Sequence, residues 1–302
     1  MKINAKEAVL RARKNEVVIP AFNVSYLPMV KPVIEAIRDE NSVAMVQVAR
    51  VEWEKFESQS LEAVAEEYNK YADPEHTLLH LDHVPVIDED MKTVDYIPII
   101  KRAVKVGYQS VMVDASRLSF EDNIAATKSV ADIAHAAGIP CESELGAVMG
   151  HESGTIMPYE EIFATKSGFT KLDEAKTFAE KSECDWLSVA VGNIHGAVAE
   201  ATRDQKKPTA RLDVEHIAAL YKAAGVPLVL HGGSGIDPEY IRAGIKAGIA
   251  KINVGTEIRQ AYEAALKETN DVQAAQRAVY EAVRKEINEI LRISNTRTLL
   301  FG

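Results

Sequence analysis

Three histidines, His83, His195 and His231, lie at or just beyond the ends of short apolar runs that predict β-strands. A single histidine in such a place is more often packed in a core or exposed to solvent than bound to a metal. Three converging imidazoles differ, because they form the ligand set of a catalytic zinc ion whose fourth position stays open. Their placement therefore predicts a divalent metal centre, with zinc as the expected ion.

Two glycine-containing segments, His231–Gly235 and Asn253–Glu257, follow the last two predicted strands and precede predicted helices. Glycine lets the backbone approach an anion, and the N–H groups at the start of a helix point towards it. A Gly-Gly-Ser-Gly run alone is equally typical of a flexible turn, so its position after a strand carries the interpretation. We expect a phosphate group to bind here, beside the metal.

Further polar side chains end other predicted strands or lie in the loops that follow them: Asn23, Asp82, Asp114, Glu144 and Glu152. A metal polarises a ketone, a carboxylate removes the adjacent proton, and a phosphate handle keeps the reacting carbons aligned. This combination favours making or breaking a carbon–carbon bond in a phosphorylated ketose. Simple hydrolysis fits less well, because it does not require the phosphate site.

The elements that position these residues alternate along the chain, with β-branched apolar runs followed by stretches of helical periodicity. The strands are predicted at Val17–Ala21, Val43–Val48, Thr77–Leu81, Ser110–Val113, Pro140–Glu144, Trp186–Val191, Pro227–Leu230 and Ala250–Val254. The helices are predicted at about 28–40, 58–71, 92–106, 120–137, 173–183, 213–224, 237–247 and 256–268. Eight such units predict an α/β fold, a (β/α)8 TIM barrel, whose active site lies at the carboxyl ends of the strands. A doubly wound sheet is the alternative, but it rarely reaches eight regular units without a second domain.

The chain of 302 residues is predicted to be a single domain, since no linker or low-complexity segment divides it. Residues 271–302 follow the last barrel unit, and we expect them to form one or two extra helices that cover the site or mediate oligomerisation. The longest predicted loop, about 147–170, follows the fifth strand. A loop of this length inside a compact domain is usually functional, so we expect a lid or a catalytic loop.

The composition excludes several classes of partner. The formal net charge of -10 argues against nucleic acid and against a polybasic membrane-binding surface. Two cysteines are too few for a disulfide framework, and free thiols suit a reducing cytoplasm. The first residues lack the apolar stretch of a signal peptide, and no apolar run reaches the roughly 18 residues of a membrane span. We therefore expect a cytoplasmic protein.

Eight short motifs run in order along the predicted barrel and are similar to those of one enzyme family. They are Pro20–Asn23, Leu79–His83, Ser110–Ser116, Phe120–Asn123, Glu142–Gly146, Gly192–Gly196, His231–Gly235 and Asn253–Glu257. No single motif is specific, but the ordered set is. The chain resembles the class II, metal-dependent fructose-bisphosphate and tagatose-bisphosphate aldolases.

The resemblance implies roles for the polar groups. The three histidines would bind the catalytic zinc, and Asp82 would polarise and protonate the aldehyde oxygen at the bond that is cleaved or formed. Glu152 would exchange the proton on the carbon of dihydroxyacetone phosphate. Glu144 matches a carboxylate that holds a second or alternative metal position. The alternatives are structural: Asp82 caps a turn, Glu144 joins a buried ion pair, and Glu152 is a solvated loop charge.

The resemblance also implies a substrate site, a cation and an assembly. The phosphate of dihydroxyacetone phosphate would lie against Gly196, Gly232, Ser234, Gly255 and Thr256, while Asn23 and Asn253 would contact the triose. A monovalent cation near Gly196 and Gly232 is common in the family. Members of the family also form homo-oligomers, so we expect a dimer or a tetramer.

The chain departs from the family pattern where the aldehyde half of the substrate would bind. Ala49-Arg50 replaces a serine near the phosphate, Val84 replaces a glycine after Asp82-His83, and residues 269–272 lack the usual Asp-Pro-Arg. Arg50, Arg259 or a residue of a partner subunit would then supply the cation for a second phosphate, or the aldehyde carries none. Two other interpretations stay open: a metal-dependent phosphosugar hydrolase or epimerase, and a non-catalytic accessory subunit.

Overall fold

A closed barrel of parallel strands, paired in chain order from β1 to β8 and back to β1, forms the centre of the molecule. The computed structural model describes residues 2–146, 159–193, 210–233 and 235–302. The strands are β1 Ile19–Asn23, β2 Ala44–Val48, β3 Thr77–Pro85, β4 Ser110–Asp114, β5 Cys141–Leu145, β6 Trp186–Val189, β7 Leu228–Leu230 and β8 Ile249–Val254. The predicted TIM barrel is therefore confirmed, and the doubly wound alternative is wrong.

Helices surround the barrel and connect its strands. In chain order they are α1 Ala5–Lys14, α2 Val30–Asp39, α3 Arg50–Glu54, α4 Leu61–Tyr71, α5 Tyr96–Val106, α6 Phe120–Ala136, α7 Tyr159–Thr165, α8 Leu172–Ser182, α9 Val214–Ala224, α10 Pro238–Ala247, α11 Thr256–Thr269, α12 Val272–Lys285 and α13 Thr296–Phe301. The eight predicted helices are confirmed within a few residues. The sequence analysis missed α1, α3 and α7, which fall outside the regular alternation. No helix within the described residues is long and apolar enough to cross a membrane.

Two apolar clusters divide the interior. The larger lies between the barrel strands and the surrounding helices, which is why β2 is buried along its whole length. The smaller joins the first residues of the strands to α1, whose Ala8, Val9 and Ala12 are fully buried. Helix α1 thus closes the amino-terminal end of the barrel with apolar side chains.

Strand β3 is longer than predicted and irregular. It continues to Pro85, and its pairing with β4 shifts by one residue between Leu81 and Val84. Such a bulge interrupts the alternation of side chains across a strand. As a result, the neighbouring residues Asp82 and His83 both reach the same cluster of polar side chains. They lie within β3 and not at its end as predicted.

The chain after α11 contains α12, a π-helical segment Glu286–Leu291 and α13, in agreement with the predicted helical appendage. Its last residues lie at the amino-terminal end of the barrel, where Thr296 Oγ1 accepts a hydrogen bond from the backbone of Val43. Arg297 Nη2 pairs with Glu75 Oε2 at 2.8 Å just before β3. Helix α13 therefore packs at the end of the barrel opposite the site and does not cover it, while the expected role of residues 271–302 in oligomerisation stays a prediction.

Candidate metal centre and active site

The carboxyl end of the barrel brings together the predicted site residues that the structure describes. These are Asn23, Asp82, His83, Glu144, His231, Gly232, Asn253, Gly255 and Thr256. Four others, Glu152, His195, Gly196 and Ser234, lie outside the described residues. The metal and substrate sites are therefore described in part, and the predicted roles of these four residues stay predictions.

Asp82, His83 and His231 form the centre of the site. Their candidate ligand atoms all lie within 4.8 Å of one another, and the two imidazole ring centroids are 4.5 Å apart. Asp82 and His231 are almost completely buried. One carboxylate and two imidazoles at this spacing suit zinc or a similar divalent metal. The donor set thus fits the predicted ion.

Asp114 and Glu144 extend the donor set on one side. Asp114 Oδ2 lies 3.3 Å from His83 Nδ1, and Glu144 Oε2 lies 3.2 Å from His231 Nδ1. The ligand atoms of His83, Asp114 and Glu144 also lie within 4.8 Å of one another. Glu144 therefore lies where an alternative metal position was predicted. The Asp114 carboxylate reaches His83 directly.

The carboxylates make this end of the barrel strongly attractive to a cation. Burial opposes a charge on His83, but Asp82, Asp114 and Glu144 outweigh it and raise the pKa of the imidazole to about 10. Burial likewise opposes a charge on Asp82, yet the neighbouring His83, His231 and Lys251 hold its pKa far below the ordinary value. In the metal-free protein, a protonated histidine thus supplies positive charge that a metal can replace.

Asp82 is held by two amides. Asn253 donates from Nδ2 to one carboxylate oxygen over 3.0 Å, and Asn23 donates from Nδ2 to the other over 2.9 Å. Gln47 in turn donates from Nε2 to Asn23 Oδ1 over 2.6 Å, which fixes the orientation of that amide. Both Asp82 oxygens therefore accept hydrogen bonds, as a carboxylate does and a neutral acid does less well.

Sequence reasoning missed a layer of charged residues directly beneath these groups. Glu142 and Lys251 are fully buried inside the barrel, where Lys251 Nζ lies 3.0 Å from Glu142 Oε2. Glu142 Oε1 also lies 2.8 Å from His231 Nε2. The ring of His80 also lies in this layer, with Asp82 and Glu142. The missed signal is strand alternation, since each lies two residues before a site residue.

Little space is left beside the backbone around the expected phosphate position. A Cβ atom on Gly255 would lie 3.3 Å from Asn23 Cβ, and one on Gly233 would lie 3.1 Å from Ile252 Cδ1. Gly232 adopts a positive φ of 65°. Gly255 immediately precedes the first turn of α11, which begins at Thr256. The described part of the two loops therefore has the close backbone and helix start that were predicted for an anion site.

The two arginines considered for a second phosphate both have carboxylate partners. Arg50 Nη1 lies 3.4 Å from Asp88 Oδ2, and Arg259 Nη1 lies 2.9 Å from both carboxylate oxygens of Glu263. Arg50 follows β2 and begins α3 at the carboxyl end of the barrel. Any second phosphate would have to compete with these carboxylates for either guanidinium.

Known aldolases are similar to this chain over nearly its whole length. The sequence model of a family described as class II fructose-bisphosphate aldolase matches residues 3–298. The YdjI aldolase from Escherichia coli K12 is similar at 29% identity and a TM-score of 0.77, with 98% of this chain and 100% of that chain covered. A protein from Coccidioides immitis assigned as a fructose-1,6-bisphosphate aldolase is similar at 26% identity and a TM-score of 0.77, with 98% of each chain covered. The fructose-bisphosphate aldolase of Campylobacter jejuni, at 16% identity and a TM-score of 0.73, shares the fold over 97% of this chain and 96% of that one.

Proposed function

The chain belongs to the class II fructose-bisphosphate aldolase family and is an aldolase, and from this premise we propose its reaction and its cofactor. The reaction is the reversible cleavage of a ketose 1-phosphate or 1,6-bisphosphate to dihydroxyacetone phosphate and an aldehyde. The cofactor is a divalent metal, with zinc expected, held by His83, His195 and His231 with Glu144 at an alternative position. A metal bound there would act as a Lewis acid on the ketone of the substrate.

The proposal depends on one observation: the carboxyl group of Asp82 lies within 4.8 Å of the ring nitrogens of His83 and His231 in a buried site. Against the effect of burial, these imidazoles hold the pKa of Asp82 below its ordinary value. A buried carboxylate beside a metal centre can receive a proton only from a group that enters the same space. In the cleavage direction that group is the hydroxyl on the carbon that becomes the aldehyde. Asp82 takes this proton while the carbon–carbon bond breaks. The electron pair of the broken bond passes to the ketone half of the substrate.

A second acid–base group completes the reaction. The ketone half leaves as an enediolate, which must gain a proton on carbon to become dihydroxyacetone phosphate. We assign this transfer to Glu152 in the loop after β5. The two proton transfers use separate groups. Exchange of the triose proton with solvent therefore does not require Asp82. The two steps can therefore be measured apart.

The substrate contacts follow from the positions of the amides and glycines. Asn23 and Asn253 would contact the triose, and its phosphate would lie against Gly196, Gly232, Ser234, Gly255 and Thr256. The narrow approach at Gly255 supports this placement, because a side chain there would displace Asn23. We include a monovalent cation near Gly196 and Gly232 in the proposal. It would offset the charge of the phosphate.

A ketose 1-phosphate without a second phosphate is the other candidate substrate. The observation that favours it is the pairing of Arg50 with Asp88 and of Arg259 with Glu263. A guanidinium that already has a carboxylate partner binds a phosphate less strongly than an unpaired one. The aldehyde product would then be uncharged at its far end.

The decisive experiment is a coupled assay of triose phosphate release. Fructose 1,6-bisphosphate, tagatose 1,6-bisphosphate and ketose 1-phosphates are compared with and without added zinc, and after treatment with a chelator. We expect release that zinc restores after chelation. Absence of release from every ketose by zinc-loaded protein would refute the substrate class. Uptake of solvent deuterium into dihydroxyacetone phosphate without an aldehyde separates an aldolase from a phosphosugar hydrolase.

We further propose a cytoplasmic homo-oligomer, a dimer or a tetramer. The two cysteines, Cys141 and Cys184, are both buried free thiols, which suits a reducing compartment. Light scattering of the purified protein at several concentrations measures the oligomeric state. A monomer at all concentrations would contradict the proposal.

A further inference from the structure

Lys251 places a positive charge in the interior of the barrel. Its side chain is fully buried in β8, among the largest buried side chains of the molecule. Burying an ammonium group costs free energy unless its hydrogen bonds and its charge are matched. Lys251 Nζ meets this requirement with Glu142 Oε2 at 3.0 Å, Glu142 Oε1 at 3.3 Å and Asn253 Oδ1 at 2.6 Å.

Each partner of Lys251 contacts a different functional group. Glu142 Oε1 lies 2.8 Å from His231 Nε2, on the side of the ring opposite to Glu144. Asn253 Nδ2 donates to Asp82 Oδ1 over 3.0 Å. Lys251 is therefore linked to His231, a candidate metal ligand, through Glu142. It is linked to Asp82, the candidate acid–base group, through Asn253.

We propose that Lys251 is a positioning residue that aligns His231 through Glu142 and Asp82 through Asn253. The alignment of the Asn253 amide follows because its oxygen only accepts hydrogen bonds and its nitrogen only donates them. Because Lys251 donates to Oδ1 of Asn253, the amide must present Nδ2 to Asp82. Without the ammonium group the amide can rotate and present an oxygen to the carboxylate, which would repel it.

The alignment of His231 follows from the charge on Glu142. The carboxylate holds the Nε2 side of the ring, so the Nδ1 side faces Glu144 and the metal site. Carboxylates in this position orient ligating histidines and raise their basicity. Lys251 keeps Glu142 charged and in place, and it also supplies the positive charge among His80, Asp82 and Glu142.

The test compares Lys251→Met with the wild type, using cobalt(II) as a probe. Its visible absorption reports the ligand geometry, and competition with a chelator reports affinity. We expect an altered cobalt spectrum and an affinity about 10- to 100-fold weaker. Glu142→Gln should reproduce both effects. Arg297→Met is the matched control, since it removes a largely buried cation paired with Glu75 at the other end of the barrel; it should leave the spectrum unchanged.

A second readout rests on the proposed function, because it measures the Asp82 step. Lys251→Met should lower carbon–carbon cleavage by at least about tenfold more than it lowers deuterium exchange into dihydroxyacetone phosphate. If neither ketose cleavage nor exchange occurs in the wild type, the proposed function fails while the metal readout still decides the role of Lys251. If the wild type binds no cobalt, NMR of protein labelled with ¹⁵N-histidine decides it, through a shift of the His231 ring resonances in Lys251→Met.

Unchanged cobalt binding and unchanged His231 resonances in folded Lys251→Met would overturn the proposal. Should Lys251→Met not fold, the double variant Lys251→Met/Glu142→Met replaces the pair with apolar side chains, which proteins often tolerate. We expect the double variant to fold with the same weakened metal affinity, since Glu142 no longer holds His231. A double variant with wild-type affinity and spectrum would show that the pair is structural only.

Discussion

Asn253 donates a hydrogen bond to Asp82 over 3.0 Å, which joins β8 to β3 inside the barrel. Together with Asn23 on the other oxygen, it makes Asp82 a carboxylate whose lone pairs are already directed. A group prepared in this way accepts a proton without first reorganising its surroundings. In the proposed reaction, this carboxylate is the group that takes the proton from the substrate hydroxyl.

Replacement of Asp82 by asparagine should separate the two proton transfers. The amide keeps the shape but cannot accept the hydroxyl proton, so kcat/KM for ketose cleavage should fall by about 10²- to 10⁴-fold. Exchange of solvent deuterium into dihydroxyacetone phosphate should fall much less. Asp95→Asn, an exposed aspartate before α5, is the control. Equal losses of cleavage and exchange in Asp82→Asn would assign both steps to one site.

Metal affinity should rise with pH. The imidazole of His83 must lose its proton to bind a metal, and its neighbours raise its pKa to about 10 in the metal-free protein. Binding therefore releases a proton throughout the neutral range, and the Kd for zinc should fall by close to tenfold per pH unit for each proton displaced between about pH 6 and 9. Calorimetry in buffers of different ionisation enthalpy measures the protons released. A Kd independent of pH would contradict a site centred on His83.

Glu52 should make the folded protein less stable as the pH rises. Burial raises the pKa of this side chain to about 7, against hydrogen bonds from Ala49, Asn23 and Ser25 that lower it. The folded state then holds a proton that the unfolded state has released above pH 4.5, so stability is fully present below 4.5 and is lost as pH rises through 7. The loss is about 3 kcal/mol.

Denaturant unfolding of Glu52→Gln from pH 4 to 8 tests this assignment. The neutral side chain should remove the loss, so the difference between variant and wild type grows from low to neutral pH. Glu54→Gln, an exposed residue of the same helix α3, is the control and should follow the wild type. A Glu52→Gln curve parallel to that of the wild type would show that the carboxylate does not titrate in this range.

Arg50 is the residue to change if a second phosphate is bound. Its link to Asp88 is long, at 3.4 Å, so a phosphate could displace the carboxylate. Arg50→Met should lower kcat/KM for a 1,6-bisphosphate by about tenfold or more, which corresponds to about 1.4 kcal/mol. The same variant should leave ketose 1-phosphates within about threefold of the wild type. Arg102→Met removes an exposed arginine paired with Glu62 and serves as the control. Equal effects on both substrate classes would exclude a phosphate contact.

The alternation of apolar runs and helical periods was sufficient to predict the barrel and its strand order, because each parallel strand is buried on both faces. It also placed His83, His231 and Asn253 towards the carboxyl end of the barrel, although His83 lies within β3 and not at its end. The prediction missed α1, whose apolar face closes the amino-terminal end of the barrel, because it precedes the first strand of the repeat.

The layer beneath the site was harder to predict for a physical reason. Glu142 and Lys251 lie in strands that are otherwise apolar, and single charges there are costly unless they are paired. Nothing local in the sequence shows that residues 109 positions apart meet. Strand alternation and barrel closure together predict this contact. Glu142 and Lys251 each lie two residues before a side chain assigned to the site, so they face the same interior. The bulge in β3 was likewise invisible, and it brings His83 to the polar cluster that Asp82 also joins.

That bulge turns the side chains of two consecutive residues towards one polar cluster. Asp82 and His83 reach the same centre as consecutive residues, so their Cα atoms are separated by one trans peptide, about 3.8 Å. Contacts between other strands lengthen or shorten as the barrel expands with temperature or relaxes after a core substitution. The backbone separation between the proposed proton acceptor and the proposed metal ligand is set by covalent bonds. Changes in the core and the helices therefore leave this backbone separation unaltered.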